Sequence, residues 1–291
     1  MLKRFLKWKG IRLTWWLFAV SFLIISALGA YFGTKGSTQP YRGYPTQPYE
    51  EVSFTSIGDE LNLGGWFFPT DSKQVVVIVH GWAGNRARLL TLAEYLQRQG
   101  LNVLTFDLRG GSGRNSYGQR ESQDVAGAVD WLYRSKGFGF DQITVLGNSI
   151  GGAASLVYTA KHPVGKLVLL SPVIDIGATK WTVLKSRTYL LPRLYAMGAT
   201  FVEQIFLGIK PTNPKDVLNE ITVPTLVIHG TSDELAPIQT IYDAEAKLGQ
   251  EGHRNFTFVY VPDARHTFLD DDAAGGYIYS KLIADFIHRP L

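Results

Sequence analysis

The chain of 291 residues contains no cysteine. Disulfides, thiolate metal sites and a cysteine nucleophile are therefore excluded. The compartment is not decided by this, because disulfide-free proteins occur in oxidising and reducing surroundings alike. The first 49 residues also lack any acid, Glu50 being the first. Seven cations precede it: Lys3, Arg4, Lys7, Lys9, Arg12, Lys35 and Arg42. The chain has 29 Lys+Arg, 25 Asp+Glu and a formal net charge of +4, so removing those seven leaves 22 cations against 25 acids, a net of −3 from residue 50 onward. The basic balance belongs to the N-terminus alone. Beside an apolar run it points to a membrane surface and away from nucleic acid as a partner. Fixed-period repeats and large low-complexity tracts are absent as well. The whole chain is 45% hydrophobic and 19% charged, the composition of a globular protein long enough for one large α/β core with an appendage.

Residues 13–32, LTWWLFAVSFLIISALGAYF, carry no charge. About twenty such residues match a helix that crosses the hydrocarbon core of a bilayer. Trp15 and Trp16 lie near one end and Tyr31 at the other, where amphipathic rings favour the interface. Five cations precede the run and only Lys35 and Arg42 follow it closely, which predicts a cytoplasmic N-terminus and the rest of the chain on the opposite side. A cleaved signal peptide is the alternative, with Ala27-Leu28-Gly29 as a small-x-small site and a secreted product. Signal-peptide apolar cores usually span about 7–15 residues, so the length of the run favours an anchor. Residues 33–49, rich in Gly, Pro, Ser, Thr and Gln, read as a linker.

From residue 50 the pattern alternates. Residues 51–57 and 61–68 have the polar–apolar alternation of an antiparallel pair, turned at Gly58-Asp59. Strands are predicted at 75–79, 101–108, 143–147, 166–171, 224–230 and 256–261. Helices are predicted at 86–99, 121–135, 150–162, 238–248 and 273–288. Such alternation implies a mostly parallel mixed sheet covered by helices on both faces, with ligands at the carboxyl ends of the strands. Residues 173–222 interrupt the rhythm and, with Trp181, Leu184, Tyr189, Leu194, Phe201 and Phe206, read as a helical cap.

Gly147-Asn148-Ser149-Ile150-Gly151-Gly152 follows a strand and opens a helix. The turn of a nucleophile elbow is tight enough to demand glycine two positions before and two after the serine, which then projects its hydroxyl. Ser149 is thus the candidate nucleophile.

The chain from residue 50 onward resembles the α/β-hydrolase superfamily, especially bacterial membrane-anchored members of esterase or peptidase type. Besides the elbow, HGWAGN (80–85) resembles the family's oxyanion loop, DLRGGSGRN (107–115) its Asp-Arg-Gly loop, HGTSDELAP (229–237) its acid loop and PDARHTF (262–268) its histidine loop. The resemblance implies a triad of Ser149, Asp233 and His266, in the chain order of that fold. It also implies an oxyanion hole from the backbone N–H groups of Trp82 and Ile150. Glu234 and Asp175 stay open as alternative acids. His80 and His229, each before a glycine at a strand end, read as structural. Asp107, Arg109 and Arg114 read as loop-stabilising, and Asp270-Asp271-Asp272 as solvated charges at a helix start with no complementary metal-ligand spacing. Asn148 departs from the aromatic residue or histidine that many relatives place before the serine.

The implied activity is hydrolysis of a carboxylic ester or thioester through an acyl-serine, with no cofactor and no metal. The aromatic cap favours a small-molecule or lipid-like substrate with a hydrophobic acyl group. A serine peptidase or amidase would use the same groups, and a non-catalytic binding protein is the third reading.

Overall fold

The computed structural model describes residues 2–34, 39–41, 43–109, 115–185, 190–206, 212–266 and 276–290. They fall into two compact units, one of residues 1–35 with 183–210 and the other of residues 36–182 with 211–291.

The larger unit is built on an eight-stranded sheet: β1 (Glu50–Thr55), β2 (Asn62–Phe68), β3 (Val75–Val79), β4 (Asn102–Phe106), β5 (Ile143–Asn148), β6 (Lys166–Leu170), β7 (Thr225–Gly230) and β8 (Phe256–Val261). Their spatial order is β1-β2-β4-β3-β5-β6-β7-β8. β2 runs antiparallel to both β1 and β4, and every other pairing is parallel. Each expected strand is present. β3 is VVVIV and is buried throughout, as a β-branched run between two helical layers should be. This is the α/β-hydrolase architecture. Two apolar layers flank the sheet. One joins Val75, Val77, Val79, Val145 and Leu169 to Val125, Val129 and Leu156 of the helices on that side. The other joins Val76, Ile78, Leu146 and Val168 to Leu92, Leu96, Ile283 and Ile287.

The helices of this unit are α2 (Leu90–Arg98), α3 (Glu121–Trp131), α4 (Ile150–Thr159), α5 (Ile176–Lys185), α7 (Ile238–Gln250) and α8 (Gly276–His288); α5 has its last three residues in the smaller unit. α2 begins four residues later than the sequence pattern suggests. The Arg86 N–H donates to Asp107 Oδ1 and the Ala87 N–H to Asn85 Oδ1, so these amides serve a loop instead of a helix.

Residues 39–41 and 43–49, part of the 33–49 segment expected to be a linker, belong to the larger unit. Tyr41, Tyr44 and Tyr49 all pack against Trp66, at centroid distances of 5.5, 6.0 and 5.8 Å. The Tyr41 hydroxyl donates to Asp107. Although the three rings stay partly exposed, their contacts, with hydrogen bonds from Thr46 to Glu94, from Asn85 to the Gln39 carbonyl and from Gln97 to the Pro48 carbonyl, dock a segment whose Pro/Gly content suggests a free tether.

The smaller unit pairs α1 (Leu2–Thr34) with α6 (Leu190–Phe206). α1 runs beyond the predicted 13–32 at both ends. Its Arg12–Tyr31 stretch is long and apolar enough to cross a membrane.

Candidate active site

Ser149 sits between β5 and α4 with φ 55 and ψ −118, a left-handed conformation for a residue with a side chain. The strain is held by hydrogen bonds from the Ser149 N–H to the Leu170 carbonyl and from the Val173 N–H to the Ser149 carbonyl. The flanking glycines are sterically required. A Cβ on Gly147 would overlap Ser155 Oγ and the Gly151 carbonyl, and one on Gly151 would overlap the carbonyls of Val79 and His80. Asn148 donates from its side-chain amide to the Leu170 carbonyl at 3.2 Å. The departure at this position therefore ties the elbow to β6.

His266, from the loop after β8, places Nε2 2.8 Å from Ser149 Oγ. Its Nδ1 lies 2.7 Å from Asp233 Oδ2, in the loop after β7. All three residues are buried. The other Asp233 oxygen accepts the Leu235 and Ala236 amides at 2.9 and 2.8 Å. Burial alone would raise the Asp233 pKa. The His266 hydrogen bond and charge, together with those amides, outweigh burial and hold the carboxyl below its ordinary range. Of the other acids considered, Asp175 is engaged elsewhere. It pairs with Lys215 at 2.6 Å and accepts the Ala178 amide at the start of α5. His266 Nδ1 is taken by Asp233 and not by the neighbouring Glu234.

Gly81 carries the loop after β3 across the serine. A Cβ there would meet Ser149 Cβ at 3.0 Å and Asn148 Oδ1 at 3.2 Å. Trp82 follows, and its ring, 42% exposed, stacks on Tyr117 at 5.9 Å. Lys180 Nζ lies 3.9 Å from the centre of the Tyr117 ring. Ile150 is the first residue of α4, and the leading amides of a helix have no intrahelical acceptor. An apolar cluster of Ile150, Ala153, Val173, Ile176 and Ala236, with Tyr117 against it, surrounds the elbow.

Two histidines read as structural from sequence support these loops. His80 accepts the Leu108 N–H at Nε2 and donates from Nδ1 to the Gly81 carbonyl, linking the Gly81 loop to the end of β4. His229 Nε2 donates to the Ala236 carbonyl at 2.9 Å and lies 3.3 Å from Asp233 Oδ2. The four-residue spacing of His229 and Asp233 in HGTSD was a signal for this contact. Tyr117 and Lys180 gave none, because three distant segments build their stack. Asp107 and Arg109 are occupied by ion pairs with Arg86 and with Asp59 and Asp124. Arg114 and Asp270-Asp271-Asp272 lie outside the described residues.

A family model described as serine aminopeptidase, S33, matches residues 70–218, just over half of the chain. The chain belongs to this family. It is a hydrolase of the α/β fold. A Mycobacterium tuberculosis protein of uncharacterised function is 28% identical over 237 residues, covering 79% of this chain and 76% of its own. The monoacylglycerol lipase of Mycolicibacterium smegmatis is 24% identical over 65% of this chain and 80% of its own. Among solved structures, a Pyrococcus furiosus esterase superposes with a TM-score of 0.71 at 22% identity, over 88% of this chain and 98% of its own, a likeness of fold.

The buried imidazoles should make this hydrolase sensitive to mild acid. Burial pushes the pKa of His80 and of His229 below their ordinary value of 6.5. Just under that value the unfolded chain binds protons that the folded chain refuses. Stability is therefore full above about pH 6.5 and declines as the pH falls below it. Thermal unfolding from about pH 7.5 to about pH 5 should show a falling midpoint. His80→Asn, whose side-chain oxygen can still accept the Leu108 amide, should flatten that fall. A wild-type midpoint that does not move with pH in this range would refute the assignment.

Proposed function

We propose that the protein is a serine hydrolase of carboxylic ester or thioester bonds, acting through an acyl-Ser149 intermediate. The observation that carries this reading is the continuous hydrogen-bonded line from Ser149 Oγ through His266 to Asp233, at 2.8 and 2.7 Å. In this scheme Ser149 Oγ attacks the acyl carbon while its proton passes to His266 Nε2. Asp233 stabilises the imidazolium and keeps Nδ1 protonated. As the C–O or C–S bond breaks, the same proton goes to the leaving alkoxide or thiolate. Water then attacks the acyl carbon, giving its proton to His266, and the acid and free serine are restored. The backbone amides of Trp82 and Ile150 receive the negative oxygen of each tetrahedral intermediate.

Ile150, Val173, Ile176 and Ala236 give the elbow an apolar surround, which supports a hydrophobic acyl group. The lipase and esterase relatives favour the same substrate class. In this reading the catalytic domain spans 50–291 with a cap insertion at about 173–222. α1 anchors it as a single pass with the N-terminus cytoplasmic and the hydrolase domain on the extracytoplasmic side. The family description favours a second reading, a serine peptidase or amidase on the same residues.

Fluorophosphonate labelling tests the serine mechanism, with adduct formation expected for wild type and lost in Ser149→Ala. A folded wild type that takes no label would sink it. A panel of p-nitrophenyl butyrate and decanoate against aminoacyl anilides decides the bond, with faster turnover expected on the esters. Gly81→Ala tests the oxyanion loop. The added methyl would lie 3.0 Å from Ser149 Cβ, so the loop or the serine must give by a few tenths of an ångström. The misaligned Trp82 amide should lower kcat, with full loss of one oxyanion donor, roughly 10²–10³-fold, as the upper bound. A Gly81→Ala enzyme with unchanged kcat would remove that loop from the mechanism.

A further inference from the structure

α6 leaves large apolar side chains in solvent: Met197 is 68% exposed, Phe201 59%, Ile205 58% and Phe206 73%. Met197, Phe201 and Ile205 recur every fourth residue, so they line one side of the helix. The other side carries the buried Gly198 and Ala199 and meets α1. A Cβ on Gly198 would overlap Ser26 Oγ and crowd the Phe22 ring, and one on Gly29 would lie 3.3 Å from Ala199 Cβ. Small residues and a hydroxyl at the crossing let two helices approach closely without relying on a hydrophobic force between them. Along α1, Leu17, Leu23, Ile24 and Leu28 are exposed as well, so the apolar surface of α6 adjoins that of the candidate membrane helix.

Charge distinguishes the occupant of this surface. Residues 176–210 contain Lys180, Lys185, Arg187, Arg193 and Lys210 against one acid, Glu203, a net of +4. The rest of residues 50–291 then holds 17 cations against 24 acids, a net of −7. Over the whole insertion, 173–222, Lys215 joins the cations and Asp175, Asp216 and Glu220 the acids, six against four and a net of +2, so it is still the cationic part of an otherwise acidic domain, which suits anionic lipid headgroups. Depth agrees. Ser26, at the crossing with Gly198, stands five residues before Tyr31, the end of the apolar stretch. That is about 7–8 Å along the helix, within the roughly 5–10 Å to which an interfacial helix sinks its apolar face.

We propose that α6 is a second lipid-contacting element, lying in the membrane interface beside α1. Met197, Phe201 and Ile205 enter the acyl-chain region, and the net positive charge of the surrounding sequence favours anionic headgroups. The proposal rests on α1 being a membrane segment. It makes α6, and not α1 alone, part of the membrane-contacting surface.

The lack of cysteine makes the test direct, since a single introduced cysteine carries a single label. Leu23→Cys in α1, Phe201→Cys in α6 and Tyr242→Cys on the exposed side of α7 are each labelled with NBD in the full chain. The proteins are reconstituted in phosphatidylcholine–phosphatidylglycerol vesicles doped with doxyl-labelled phosphatidylcholine. An unchanged thermal unfolding transition shows that each variant is folded. Quenching at Phe201→Cys is expected within about twofold of that at Leu23→Cys and at least about threefold above that at Tyr242→Cys, with blue-shifted emission. Quenching at Phe201→Cys no greater than at Tyr242→Cys overturns the proposal. If Leu23→Cys is still quenched in that case, the anchor stands and α6 faces water or protein; a disulfide-linked Phe201→Cys dimer would then identify a second copy as the occupant. If Leu23→Cys is also unquenched, the anchor reading falls with it.

Discussion

Asp233→Asn should lower kcat by about 10⁴-fold while leaving the fold nearly intact. The reason lies in how each atom of the carboxylate is used. Oδ1 accepts two backbone amides, from Leu235 and Ala236. Turning an NH2 group toward those amides would leave buried donors facing a donor, at a cost of about 1–3 kcal/mol for each unsatisfied group. The asparagine oxygen therefore stays at Oδ1 and its NH2 takes the place of Oδ2. That NH2 now faces His266 Nδ1, which must become an acceptor. The imidazole proton is driven to Nε2, where it points at Ser149 Oγ, and a protonated Nε2 cannot take the serine proton. KM should change little, because Asp233 is buried behind His266 and touches no substrate in the proposed scheme. The variant should also lose an acid-limb stability dependence. The Asp233 pKa is held below its ordinary value, so its contribution is present above that value and lost as the pH falls through the folded one. Steady-state kinetics on a short ester decide the matter. A kcat within tenfold of wild type would remove Asp233 from the proposed relay.

The eight strands were legible because two simple periods encode them. Alternation marks β1 and β2, and continuous β-branched runs mark strands such as β3. The elbow was legible for a related reason: its glycines answer to backbone atoms a few residues away and on the adjoining strand, so sequence spacing carries the constraint. The candidate acid was less so. Asp233 and Asp175 both follow strands of the central sheet, and only three-dimensional neighbours separate them, Lys215 claiming one and His266 the other. The Trp82–Tyr117–Lys180 stack was invisible, because it joins residues 35 and 63 positions apart and no local pattern encodes it. The docking of residues 39–49 was hidden in the same way. Their composition is that of a tether, but Trp66 offers the tyrosines a surface.

Arg109 is the side chain whose loss should cost the most stability. It is buried, and its guanidinium donates to Asp124, Asp59 and Ser56. Its neighbours hold its pKa above the ordinary arginine range in spite of burial, so it is a permanent cation. It joins the turn after β1 to the first half of α3 and so ties an edge of the sheet to a helix. Asp124 is wholly buried, whereas Asp59 is partly exposed and can turn to water. Arg109→Met removes the cation and leaves Asp124 charged in a dry site, a loss of about 3–5 kcal/mol. For a domain of this size that is a fall of very roughly 6–20 °C in Tm. The backbone N–H of residue 109 also donates to Asp124, at 2.9 Å, and this bond survives in Arg109→Met. It survives again in Arg109→Met/Asp124→Asn, where the amide oxygen accepts it without a charge. The double variant should therefore recover more than half of the loss, because the penalty comes from the stranded carboxylate and not from missing contacts. Thermal unfolding of the wild type, both single variants and the double completes the cycle. Additive losses would show that the two residues act independently, and would refute the pairing as the source of the stability.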